Sequence, residues 1–302
     1  MKKALFSFIL LCIIVRNFSP AQAGSDGLAF LKLGVGGRSL GMGEAYSAIA
    51  SDPTATFYNP AAMSLSKSPQ LFLMHKSWIQ DTRTDYLAAQ TYFGNFNFGL
   101  ALNFTSVDNI EFRLVPGPPE GTFSSRNASM GISTSYSINP SLALGGTVNF
   151  LYEKIFTSDA SGLGYNFGVL YQTPWDIRTA LVVNNLGSMS VLGDQSTKLP
   201  TSVRIGAAKP LNVDGIGPNS TMTFAADIVD YTVENKAHLH LGGELNYENI
   251  FAMRLGYMTG YDARSITAGV GVKYSLIYFD YAYAPFRYDL GTTHTFSLGF
   301  NF

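Results

Sequence analysis

From Gln70 to the C-terminus, apolar and polar positions alternate with a period of two, in segments that recur every roughly 10–20 residues. In "THTFSLGFNF", Phe296, Leu298, Phe300 and Phe302 fall on one face, and Thr293, Thr295, Ser297, Gly299 and Asn301 on the other. "FNFGLALNF" puts Phe96, Phe98, Leu100, Leu102 and Phe104 on a single face. "SLALGGTVNFLYE" and "HLHLGGELNY" repeat the arrangement. One face is uniformly apolar, and the other is small and polar. The pattern predicts fourteen strands, starting near residues 70, 84, 96, 127, 141, 162, 176, 200, 220, 238, 250, 266, 276 and 292.

A soluble β-sandwich also alternates, but its outward face carries Lys, Glu and Thr. In this chain the charged residues share the face that carries Gly, Ser and Asn, which suits the lumen of a closed barrel. Connection lengths point the same way, because membrane barrels have short inner turns and longer outer loops. With both termini on the inner side, outer connections are expected at 80–84, 106–126, 154–161, 186–199, 230–237, 259–265 and 284–291. The inner turns shrink to two or three residues, except at 210–219. The fold class is therefore all-β, a transmembrane antiparallel β-barrel of about fourteen strands.

Composition sharpens this. Charged residues make up 14% of the chain, against about 25% in soluble domains. Aromatics also reach 14%, with 17 Tyr and 22 Phe. The net charge of −1 argues against a nucleic-acid partner. Residues 1–23, "MKKALFSFILLCIIVRNFSPAQA", read as a cleaved signal peptide: Lys2 and Lys3, an apolar core too short to span a bilayer, then Ala21-Gln22-Ala23. Removing them takes away Cys12, the single cysteine, so thiol chemistry is excluded from the mature chain.

Residues 24–66 precede the first strand, and 67–302 form the barrel. "GVGGRSLGMG" permits close packing and positive φ. Asn59-Pro60 reads as a helix start, with Asn59 as N-cap and Pro60 in the first helical position, followed by Ala61. The stretch "FLKLGVGGRSLGMGEAYSAIASDPTATFYNPAAMSLS" resembles the N-terminal signature of the PorV/PorQ family, within the FadL-like outer-membrane superfamily. The resemblance implies a small hatch inside the barrel, marked by Arg38, Gly41, Gly43, Glu44, Asp52, Asn59, Pro60 and Ala61. It also implies the outer membrane of a Gram-negative-type bacterium. For function it implies a partner-binding role in type IX-like secretion, contacting secreted cargo proteins or other secretion components. The alternative within the superfamily is passive transport of long-chain fatty acids or other hydrophobic small molecules.

No catalytic constellation, cofactor motif or metal site stands out. His238 and His240 share a face with Glu244, as polar lumen residues of one strand do, and no second ligand cluster accompanies them. The expected lumen charges are Arg178, Arg204, Asp227, His238, His240, Glu244, Arg254, Lys273 and Asp280. Such charges pair with each other, with the hatch or with water, and either anchor the hatch or line a solute path. Arg38 and Glu44 are their natural hatch partners. The loop at 106–126 offers an apolar strip, Ile110, Phe112, Leu114 and Pro116, as a lid or a binding surface.

Overall fold

The computed structural model describes residues 27–193, 197–234 and 236–302. The expected signal peptide lies outside the described residues. Fourteen strands form one closed antiparallel barrel: β1 Gln70–Ser77, β2 Thr82–Phe93, β3 Phe96–Phe112, β4 Gly121–Asn139, β5 Leu142–Ile155, β6 Ser158–Gln172 and β7 Arg178–Met189. The circuit continues with β8 Ser202–Asn212, β9 Thr221–Tyr231, β10 Ala237–Tyr247, β11 Phe251–Met258, β12 Ile266–Tyr274, β13 Ile277–Pro285 and β14 Thr292–Asn301. Each strand pairs with its sequence neighbours, and β14 closes on β1 with Leu73 opposite Leu298. Closure leaves no unpaired edge, which is what a sheet needs to sit in hydrocarbon.

The two faces separate as the alternation predicts. Phe96, Phe98, Leu100, Leu102 and Phe104 are exposed on the outer wall, while Asn97, Asn103 and Thr105 on the alternate positions are buried. Exposed aromatics gather near the turns at one end, including Phe93, Tyr136, Trp175, Tyr247 and Tyr274. Tyr and Trp favour such interfaces because their rings are apolar and their tips polar.

The tall part of the wall departs from expectation. β3 runs to Phe112 and β4 begins at Gly121, so the connection is 113–120 rather than 106–126. Ile110 and Phe112 therefore lie on β3, and only Leu114 and Pro116 belong to the loop. The predicted loop at 154–161 contracts to Phe156 and Thr157. The inner connection expected to be long at 210–219 is long, at 213–220. Above the apolar belt neither sheet face meets lipid, so strand pairing continues without the two-residue apolar rhythm. A register shift between Val107 and Ile110 also breaks the face pattern there.

Candidate functional site: the lumen and its N-terminal segment

Residues 27–66 lie among the inward-facing side chains of the wall. The Gly27 amide donates to the Lys198 carbonyl at 3.1 Å, in the outer connection between β7 and β8. Lys32 pairs with Glu234 at 2.8 Å, in the outer connection between β9 and β10. The segment then passes inward as short helical turns, Ala29–Lys32, Gly37–Gly41, Ala55–Tyr58 and Pro60–Leu65. It reaches the inner end where β1 begins.

Two kinds of contact hold it. The first is close backbone approach. A Cβ on Gly256 of β11 would lie 2.0 Å from the Gly43 nitrogen, and one on Gly145 of β5 would lie 2.3 Å from the Ala61 nitrogen. Any side chain at either wall position would occupy the space of the segment's own backbone. Gly41 likewise packs on Gly269 of β12.

The second is charge. Arg38 reaches both carboxylate oxygens of Glu244, at 2.8 and 2.7 Å. Arg254 donates to the same carboxylate at 2.6 Å and to Asp280 at 2.6 Å. Gly43 and Glu44 both take left-handed backbone, with φ of 62° each, and this turn faces Glu44 both ways. Its carboxylate accepts from Arg264 at 2.9 Å, and its carbonyl accepts from Arg204 at 2.8 Å. Burial alone would push the Glu44 carboxyl up. The surrounding cations, Arg264 first, outweigh it and hold the group below the ordinary carboxylate range.

Arg204 also meets Asp227 at 3.1 Å, and Asp227 accepts from the Tyr46 and Ser47 amides. Asp52 accepts from the Tyr46 hydroxyl at 2.5 Å and the Thr54 amide at 2.9 Å. Asn59 accepts from the Ala61 amide at 3.0 Å, which caps Pro60–Leu65, and donates to the Ser47 carbonyl at 2.9 Å.

His238 contacts Glu234 at 2.8 Å and stacks on Tyr261; His240 contacts the Tyr261 hydroxyl at 3.0 Å. Burial pushes the Glu234 carboxyl up, but hydrogen bonds from Lys32 and His238 bring it below the ordinary range. Two of the expected lumen charges stand apart. Arg178 donates to Gln172 near the inner rim, and Lys273 is exposed there without an ion pair among the described residues. Both border the lumen without touching the segment.

Two contributors escaped the sequence reading. Lys76, fully buried, donates to the Gly34 carbonyl at 2.8 Å. It shares a face with Phe72 and Met74, so strand parity marks it as inward. Arg264 lies in the connection 259–265, where no periodicity operates.

The segment leaves space at both ends. Toward the inner end a cavity of about 310 Å³ is lined by Arg38, Asp52, Gln70, Lys273, Tyr278 and Asn301 among others. Toward the outer end a smaller one, about 40 Å³, lies among Leu31, Phe57, Tyr86, Asn103, Asn166 and Asn185. Beside it, Leu28, Phe30 and Leu31 pack against Leu151 and Leu199 as a separate apolar cluster. The wall next to this cavity is irregular. β6 and β7 shift register between Tyr165 and Phe167, and the freed Asn185 is held by Asn166 at 2.8 Å and by the Pro200 carbonyl at 3.2 Å.

This geometry can be set beside known proteins. The model of an uncharacterised protein family (UPF0164) matches residues 18–166. No curated protein matches the chain. Solved barrels do. The Ralstonia pickettii toluene transporter TbuX is 14% identical, with 89% of this chain and 98% of that one covered at a TM-score of 0.62. The Pseudomonas putida toluene transporter TodX is 13% identical, with 89% and 98% covered at 0.65. A Pseudomonas aeruginosa FadL homologue is 13% identical, with 89% and 98% covered at 0.58. The fold is that of FadL-like outer-membrane barrels. At such low identity the likeness speaks for fold alone, and none of the three is a PorV or PorQ protein.

Proposed function

We propose that this protein is a non-enzymatic outer-membrane channel for small hydrophobic molecules, with residues 24–66 serving as a hatch in its lumen. The observation that carries the reading is a lumen filled by residues 27–66, with a buried apolar cluster at its outer end. The segment blocks a straight path, and Leu28, Phe30, Leu31, Leu151 and Leu199, all buried, form that apolar cluster, a lining through which a hydrophobic molecule would pass if the segment shifts. The adjoining cavity ends at the β6–β7 irregularity, within the apolar belt of the wall. The likeness to toluene transporters over nearly the whole chain supports the same reading. The secretion role implied by the N-terminal resemblance has no counterpart among these barrels, and it rests on residues 30–66 alone.

Cells lacking the protein are expected to take up radiolabelled toluene or a long-chain fatty acid more slowly, with surface-protein release unchanged. Normal uptake combined with impaired release of cargo bearing a C-terminal signal would overturn the channel in favour of secretion.

A further inference from the structure

We propose that the outer wall of β2–β5 carries a binding site for phospholipid headgroups of net negative charge, built from Arg83, Arg126 and Lys154. The inference rests on the outer-membrane placement but on no particular solute. Strand register puts the three in one row: Arg83 lies opposite Ser106, Ser106 opposite Arg126, and Arg126 opposite Lys154. All three are exposed, while Thr84 and Glu153 beside them are buried on the lumen side. Adjacent strands lie about 4.8 Å apart, so the row spans about 15 Å, the scale of one or two lipid headgroups.

Its height is what gives the row meaning. One outward position toward the inner end come Phe104 and Tyr152, and the next are Leu102, Met130 and Phe150. Below the row the wall of β3–β5 is apolar, with the His75–Asp85 pair beside it on β1 and β2, and above it the strands rise beyond the belt. The cations therefore sit at the level where hydrocarbon gives way to headgroups. Among the described residues, none of the three forms an ion pair. None of the nearby carboxylates bonds to them: Asp85, one row lower, is held by His75 at 2.7 Å, while Asp159, opposite Lys154, and Asp108, two positions beyond Ser106 on β3, form no ion pair among the described residues. Arg126 and Lys154 face each other directly, and like charges so placed repel. A phosphate seated between them removes that repulsion and accepts from both, the guanidinium in two-point fashion.

The test is native mass spectrometry of the full barrel in detergent, titrated with dioleoylphosphatidylglycerol or dioleoylphosphatidylcholine. The expected result is preferential retention of phosphatidylglycerol. Replacing all three cations with glutamine should weaken that preference on the order of tenfold or more, and Arg126→Lys should keep most of it. Heat-modifiable gel mobility checks that the variants fold. As a reading that needs no variant, the wild-type preference should fall as salt rises. Equal retention of both lipids, a preference indifferent to salt, or a preference that survives the triple substitution would each overturn the site. Solute uptake enters none of these outcomes, so failure of the lipid site and failure of the channel are told apart.

Discussion

Arg38 and Glu244 stand 206 positions apart in the chain and meet at two points, 2.8 and 2.7 Å, in the middle of the barrel. The carboxylate is shared with Arg254, so the two partners are not equivalent. Glu244→Gln leaves two guanidinium groups facing a neutral amide, and is expected to cost about 3–5 kcal/mol. Arg38→Ala leaves Glu244 paired with Arg254, and should cost about 1–3 kcal/mol. Thermal unfolding read by heat-modifiable gel mobility distinguishes them; equal losses would refute a hub at Glu244.

Asn59 joins three pieces of structure, through the Ala61 amide, the Ser47 carbonyl and, at 3.4 Å, the Val169 carbonyl of β6. Asn59→Ala removes acceptor and donor together at a buried position, an expected loss of about 1–3 kcal/mol. Asn59→Asp retains the acceptor that caps Pro60–Leu65 and loses the donor. Hydrogen exchange should therefore quicken at Ala61 and its neighbours in the alanine variant, and remain slow at Ala61 in the aspartate variant.

Gly256 and Gly243 test the fit between wall and segment. Valine at Gly256 displaces the backbone at Gly43, whereas a Cβ on Gly243 meets nothing within 4 Å. Single-channel conductance in planar bilayers should rise for Gly256→Val and stay at the wild-type level for Gly243→Val, with both barrels folded. Equal conductance in all three proteins would mean that the segment does not limit the pore.

The Lys32–Glu234 contact closes the outer end and should be sensitive to acid. The Glu234 carboxyl is held below its ordinary value, so the stabilisation is complete above that value and fades as pH falls through the depressed one. The expected window lies below about pH 4.3. A fluorophore near the mouth should report opening there, and Glu234→Gln should shift the mouth toward its open state at neutral pH. An acid response unchanged in that variant would point to another group.

The barrel was legible because lipid and lumen impose opposite demands on alternate residues, and segments such as 96–104 and 293–302 carry both demands at once. Where lipid ends, at the tops of β3 and β4, the demand lapses and the boundaries slip by several residues. Periodicity also told that Glu244, Arg254 and Asp280 point inward. It could not tell which charges meet, because partners are set by register across strands and by the path of the N-terminal segment. Lys76 obeys strand parity and was within reach. Arg264, placed by a connection, was not.

The Gly37 amide donates to the Ser297 hydroxyl at 2.8 Å, across 260 positions of sequence. Ser297 belongs to β14, the strand that closes the circle. The first part of the described chain to be synthesised therefore gains its final anchor only once the last strand has arrived. During biogenesis residues 27–66 must wait, unlocked, inside or beside a curling sheet. Completion of the wall and seating of the segment are thereby coupled through one of the longest-range contacts in the chain, the kind of non-local pairing that slows folding in general.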